Sequence, residues 1–220
     1  MARVLGGERA VLLETDPPYG VAYTVETGVG SKFGAIANDE NDGERLQKFL
    51  ESAFSAAKPV LFDNAAWYLW HAQMTQGFFA AAAAAAAVII HRQIIWVKPS
   101  LILGHGDYHW RHELCFYGWV EGHRPPWYGD RKQTTVWEVG RENDGVHPTQ
   151  KPVELFERPL RFNTRLGDIA YEPFLGSGTT LIACENLGRR CRAVEIAPGY
   201  VAVALERWAA HTGKTPVLLE

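Results

Sequence analysis

Between residues 168 and 211 the hydrophobic pattern changes period again and again, and this alternation limits the fold more than any other feature of the chain. An apolar run at 168–172 leads into Pro173-Phe174-Leu175-Gly176-Ser177-Gly178. A helical stretch follows at 178–187, then an apolar run at 191–196, then a second helical stretch at 198–211. Strands joined through helices need crossover connections, and crossovers of this kind build a parallel sheet with helices packed on its faces.

The remaining segments extend the same pattern. Residues 9–15 read as a buried strand ending at Asp-Pro-Pro. A helix is expected from Asp42 or Gly43 to about Ala57, with Leu46, Phe49, Leu50 and Phe54 at helical spacing. Further strands are expected at 65–70 and at 93–97, the second stopped by Pro99, and a last one at 216–219. An alanine-rich helix is expected at 75–88 and another helix at 152–162, with Pro152 in its first turn. The Gly-rich stretch 23–41 reads as an irregular loop. The predicted fold is therefore α/β: a mostly parallel, Rossmann-like central sheet with helices on both faces. It forms a single domain over 1–220, with a small recognition region inserted at about 104–146. There Gly, Pro, His and Trp mix, and one strand is expected at 113–117.

Composition narrows the partners. At 220 residues, 47% hydrophobic and 21% charged, the chain can bury a core. Its net charge of −3 gives no general attraction for a polyanion, so any nucleic-acid contact has to come from a local basic face. Cys115, Cys184 and Cys191 match no common zinc spacing and read as reduced thiols; His105, His109 and His112 fit no metal motif, so no metal is expected. The apolar run 77–90 is mostly alanine and shorter than the ~18 residues of a membrane span. No basic stretch followed by an apolar run opens the sequence. Together these point to a cytoplasmic protein without a membrane partner.

The glycine loop is the first candidate site. In a doubly wound sheet, ligands bind beyond the carboxyl ends of strands where the strand order reverses. Glycines there let the backbone approach a ligand closely. Glu195 closes the next strand, where a carboxylate can accept from both ribose hydroxyls of a nucleoside. The loop lacks the lysine of a phosphate-binding loop and a third spaced glycine, which favours a nucleoside sulfonium over a nucleoside triphosphate or a dinucleotide.

Asp16-Pro17-Pro18-Tyr19 is the second. Each residue before a proline is pushed toward extended conformations and each proline holds φ near −65°, so the Asp16 carboxylate and the Pro17 carbonyl point in fixed directions. Two fixed acceptors suit an exocyclic amine, whose lone pair is conjugated into its ring. Accepting both hydrogens draws the nitrogen toward tetrahedral geometry and frees that pair. Tyr19 can stack on the base, worth ~1–3 kcal/mol, against the few kcal/mol needed to take a base out of a duplex.

With His147-Pro148-Thr149-Gln150-Lys151-Pro152 and Ile94-Ile95-Trp96-Val97-Lys98-Pro99, these motifs resemble those of the DNA amino-methyltransferases that modify adenine N6 or cytosine N4. The order, DPPY first and the FxGxG loop last, is similar to their β class. The resemblance covers nearly the whole chain. It implies a class I methyltransferase fold, S-adenosyl-L-methionine as methyl donor and DNA as partner. It also implies a catalytic loop of Asp16, Pro17, Pro18 and Tyr19. The donor would be lined by Asp16, Thr149, Lys151, Glu172, Pro173, Phe174, Gly176, Ser177, Gly178, Thr179, Glu195 and Ile196, with Glu195 on the ribose and Thr149 and Lys151 at the methionine end. An Asp often stands where this chain has Glu172. Cytosine-N4 enzymes more often carry Ser at the Asp16 position, so the resemblance favours adenine N6.

Residues 104–132 interleave histidines and cations with Tyr108, Trp110, Trp119, Trp127 and Tyr128. One reading is a DNA-facing element using Lys98, His109, Arg111, Arg124, Arg131 and Lys132. The other is a His-rich surface over a small aromatic core, which Asp107, Glu113, Glu121 and Asp130 favour. So small a recognition region implies low site specificity or a homodimer that shares the work. Three alternatives stay open: a cytosine-N4 enzyme, an RNA or protein-amide methyltransferase, and an inactive DNA-binding relative.

Overall fold

The computed structural model describes residues 2–21, 43–103, 107–140 and 150–219. Among them a seven-stranded sheet runs in the order β5-β3-β4-β2-β1-β6-β7. Its strands are β1 (Ala10–Thr15), β2 (Leu61–His71), β3 (Val88–Ile102), β4 (Trp110–Val120), β5 (Val136–Glu138), β6 (Ile169–Glu172) and β7 (Arg190–Ala193). The helices are α1 (Ala2–Leu5), α2 (Gly43–Ala57), α3 (Gln76–Ala85), α4 (Val153–Asn163), α5 (Thr179–Leu187) and α6 (Pro198–Thr212). β4 runs antiparallel to both neighbours, and every other pair is parallel. This is the expected mostly parallel sheet of a class I methyltransferase.

Buried strands alternate their side chains between two covered faces. On β2, Ala65, Trp67 and Leu69 join Leu46, Leu50 and Phe54 of α2 and Phe79, Ala82 and Ala83 of α3. Ala66, Tyr68 and Trp70 face the other way, onto Leu155, Phe156 and Leu160 of α4 and Ile182 and Ala183 of α5. Leu46, Leu50 and Phe54 are each fully buried at four-residue spacing, and each such side chain contributes roughly 1.5–3 kcal/mol. α2 is thus held by one continuous apolar stripe.

Three expectations need correction. β3 does not stop before Pro99; it runs on to Ile102, because its pairing with β4 shifts register between Val97 and Ile102, and the proline, with no N–H, is tolerated at that irregularity. The strand expected at 113–117 is present but longer: β4 spans 110–120 and sits inside the central sheet, not in an insertion. Residues 216–219 form no strand, and Val217, Leu218 and Leu219 stay exposed without a pairing partner. α3 also ends earlier than expected, where Ala87 takes a left-handed φ of 60° and turns the chain into β3. The loop expected at 23–41 lies outside the described residues.

Strand order reverses between β1 and β6, since β2 lies to one side of this pair and β7 to the other. The crevice at such a switch point opens above the carboxyl ends of both strands. Asp16 follows one and the glycine loop follows the other.

Candidate active site

The two motifs, far apart in sequence, are joined through one buried carboxylate. Thr15, the last residue of β1, donates its hydroxyl to Glu172 Oε1 at 2.5 Å. The backbone N–H of Phe174 donates to the same oxygen at 2.9 Å, and the Thr180 hydroxyl to Oε2 at 3.0 Å. Glu172 is 1% exposed. It therefore lies beneath the loop and binds β1 to it, where the sequence suggested a residue lining the donor. Burial pushes its carboxyl up to about 8, even though these hydrogen bonds favour the charged form.

Above this floor, Asp16 is held at both oxygens. Tyr19 Oη donates to Oδ1 at 2.5 Å, and Lys151 Nζ donates to Oδ2 at 2.5 Å and to Tyr19 Oη at 2.9 Å. Lys151 leaves the segment just before α4 and is 7% exposed. It also reaches Glu113 Oε2 at 3.1 Å, and Glu113 Oε1 meets Lys98 Nζ at 2.5 Å. Burial acts to lower the Lys151 ammonium, but Asp16 and Glu113 reverse this and keep it charged. Burial likewise acts to raise Glu113, yet Lys151 and Lys98 outweigh it and hold the carboxyl below its ordinary range. Burial and the Asp16 carboxylate push the Tyr19 hydroxyl well up, so it stays a donor. The Tyr19 ring packs edge-on against Phe79, with centroids 6.2 Å apart. Asp16 is thus an oriented acceptor beside a flat ring.

The donor side is built on β6, β7 and the turns after them. Glu195 Oε2 accepts from the Gly176 N–H at 2.8 Å and Oε1 from the Ala197 N–H at 2.8 Å, which fixes the carboxylate and leaves further lone pairs on each oxygen. Ile196 is 75% exposed beside it, an apolar surface a nucleoside base can cover. At Gly176, with φ +52°, an added Cβ would meet open space, so the backbone itself is accessible. Phe174 tilts against Phe49 of α2, centroids 5.6 Å apart. These residues fit S-adenosyl-L-methionine: an acid for the ribose, apolar cover for the base and an exposed loop backbone.

Other expected lining residues are more deeply set in the fold or lie outside its description. Gly178 is a glycine for packing: its φ is +87°, and a Cβ there would lie 2.9 Å from Ala204 Cβ on α6. Thr179 is buried and accepts from Arg207 at 3.2 Å; Pro173 is buried, and Ser177 is half-buried in the loop. Thr149 lies outside the described residues.

Strand direction sorts the expected DNA contacts. β4 runs antiparallel to β2 and β3, so residues 107–112 stand at the same edge as Asp16, while the chain after Val120 emerges at the opposite edge. His109 and Arg111 are exposed on the Asp16 side, with Tyr108 and Trp110. Arg124, Arg131 and Lys132 are exposed at the far edge, where Trp127 and Tyr128 anchor the chain to Phe162 at the end of α4. Lys98 is buried against Glu113, which leaves no ammonium for a phosphate. These four residues thus stand apart from the opening of the crevice. Glu113, Thr15 and Thr180 belong to the site, and no motif pointed to them. Among the described residues no cluster of acids, histidines or cysteines could hold a metal ion, and no helix is long and apolar enough to cross a membrane.

Known proteins resemble this chain in sequence and in fold. M.HpaI, a type II methyltransferase of Haemophilus parainfluenzae, is 38% identical over 79 residues, which cover 34% of this chain and only 25% of that protein. The structure of the M1.HpyAVI–SAM complex superposes with a TM-score of 0.69 at 19% identity, over 92% of this chain and 90% of that one. PvuII DNA methyltransferase, described as cytosine-N4-specific, superposes at 0.72 with 14% identity, over 97% and 84%. At such identities these two likenesses establish the fold alone. The DNA methylase family of N6/N4 type, whose methyl donor is S-adenosyl-L-methionine, matches residues 11–206. The match takes in both motifs and the crevice between them, and the chain belongs to that family.

Proposed function

We propose that this chain transfers a methyl group from S-adenosyl-L-methionine to the exocyclic amine of a base in DNA, and that the base is adenine, modified at N6. The observation that carries the reading is the Thr15–Glu172–Phe174 linkage, which brings the end of the Asp16 strand and the donor loop onto a single carboxylate. Glu195, Ile196 and the Gly176 backbone hold the donor, which supplies an electrophilic methyl group. Asp16 and the Pro17 carbonyl accept the two amine hydrogens, and Tyr19 stacks on the base. As nitrogen becomes four-coordinate it turns into a strong acid, so its proton needs only the nearby Asp16 carboxylate or water as acceptor. The chain forms no covalent bond to substrate, and fixed orientation supplies much of the rate. His109 and Arg111 stand on the correct edge for phosphates.

The preference for adenine rests on Asp16, where cytosine-N4 relatives more often have Ser. Cytosine N4 is the second reading, because the family to which the chain belongs takes in both N6 and N4 amine targets. A role in restriction–modification in a bacterial or phage-infected cytoplasm follows from relatives such as M.HpaI. Sharing of DNA recognition between two copies completes the proposal. The test is incubation of purified protein with labelled donor and unmethylated DNA, RNA or protein, followed by digestion and nucleoside mass spectrometry. N6-methyladenine in DNA is the expected product. N4-methylcytosine would select the second reading, and donor binding with no methyl on any DNA base would overturn both.

A further inference from the structure

Four charged side chains from four segments form an alternating row: Lys98 on β3, Glu113 on β4, Lys151 before α4 and Asp16 after β1. Successive contacts are 2.5, 3.1 and 2.5 Å. Both lysines are 7% exposed while the Glu113 and Asp16 side chains are 25% and 31% exposed, so water screens the row only in part. Lys151 donates hydrogen bonds to Asp16 Oδ2 and Tyr19 Oη and forms an ion pair with Glu113 Oε2 at 3.1 Å. Two carboxylates balance two ammoniums. Remove Glu113, and an ammonium paired only with Asp16 stands next to a second buried cation.

That balance matters to the transfer, which moves positive charge onto the amine nitrogen held by Asp16. An uncompensated cation there opposes the reaction and weakens Asp16 as an acceptor. We propose that Glu113 is a positioning residue for the methyl transfer: acting through Lys151, it keeps the Asp16 carboxylate oriented and cancels the ammonium's charge where the amine turns positive. This rests on the reading of Asp16 as the amine acceptor. Glu113 itself touches neither base nor donor.

The experiment is steady-state methylation of DNA by wild type, Glu113→Gln, Glu113→Asp and the double variant Glu113→Gln/Lys98→Gln, with donor affinity measured calorimetrically. Glu113→Gln should lower kcat on the order of 10- to 100-fold, with KM for DNA and donor Kd within about threefold of wild type. The double variant removes one charge of each sign and should recover most of that loss. A bond needed only to hold the strands together would make the double variant slower than the single one, and that result overturns the proposal. So does a Glu113→Gln enzyme with wild-type kcat. If the Gln variant does not fold, Glu113→Asp decides: it keeps the charge but shortens the reach, so a kcat loss with unchanged donor Kd is expected, and wild-type kcat is the refuting outcome. Wild-type protein that methylates no DNA amine defeats the functional reading itself; an active wild type with an indifferent Glu113 defeats only this inference.

Discussion

Replacing Glu172 by Gln tests the floor of the site through the pH dependence of stability. The carboxyl is 1% exposed, and burial raises it from 4.5 to about 8 in the folded protein. A group with a raised folded pKa binds its proton more tightly in the native state. Its contribution is complete below about pH 4.5 and is lost as pH climbs through the window between about 4.5 and 8. At ~1.36 kcal/mol per pKa unit, the loss is about 3 kcal/mol at pH 7 and about 4–5 kcal/mol above pH 8. Glutamine has the shape of the protonated acid. Its carbonyl can accept from Thr15 and the Phe174 N–H, and its amide can donate to the Thr180 hydroxyl. The variant should match wild type near pH 5 and exceed it increasingly toward pH 8.5. Urea unfolding followed by tryptophan fluorescence at several pH values measures this, and comparing the two proteins cancels the titrating groups that do not interact with Glu172; the exception is Glu14, whose carboxyl Glu172 helps to raise. A stability difference that stays flat with pH, or one in which wild type gains as pH rises, refutes the reasoning. The second outcome would mean that the three hydrogen bonds outweigh burial and the carboxylate is charged.

Glu14 is fully buried on β1, neither oxygen has a hydrogen-bond partner among the described residues, and burial together with Glu172 pushes its carboxyl well up. Glu14→Gln should therefore raise stability at neutral pH by about 1–3 kcal/mol in thermal or urea unfolding, and a loss would show an unrecognised partner. Gly178→Ala forces a Cβ onto Ala204 at a left-handed backbone and should cost about 2–4 kcal/mol; an unchanged melting temperature would mean that α6 moves freely. Glu195→Gln leaves one of the Gly176 and Ala197 N–H groups without its acceptor, so it should weaken donor binding about 10- to 100-fold by calorimetry and cost about 1 kcal/mol of stability, and unaltered affinity would remove Glu195 from the ribose.

Much of this was legible because it is local. The strand before Asp16, the stripe of Leu46, Leu50 and Phe54, and the run from β6 to α6 each carry their period within a dozen residues. Pro99 misled because a proline ends a strand only when its missing N–H is needed, and the register shift after Val97 removes that need. Residues 110–120 showed only the middle of their strand, at 113–117, because polar His112 and Glu113 sit at the functional end while only Leu114, Cys115 and Phe116 form a buried run. Composition could not tell which cations face DNA. The antiparallel direction of β4 carries Arg124, Arg131 and Lys132 to the edge away from Asp16, and direction is a property of the assembled sheet.

The same distinction separates the parts of the site. Asp16 and Glu195 were legible from short segments because contacts with near neighbours, Tyr19 and Ala197, help to set their geometry. Glu113 and the inward role of Glu172 arise only from pairing: one from β3 against β4, the other from β1 against β6. A carboxylate at 1% exposure that ties two distant loops also makes the site cooperative, since losing the Thr15 contact loosens the Phe174 turn as well. Damage to either strand end should then appear at both halves of the crevice, in donor affinity and in turnover together.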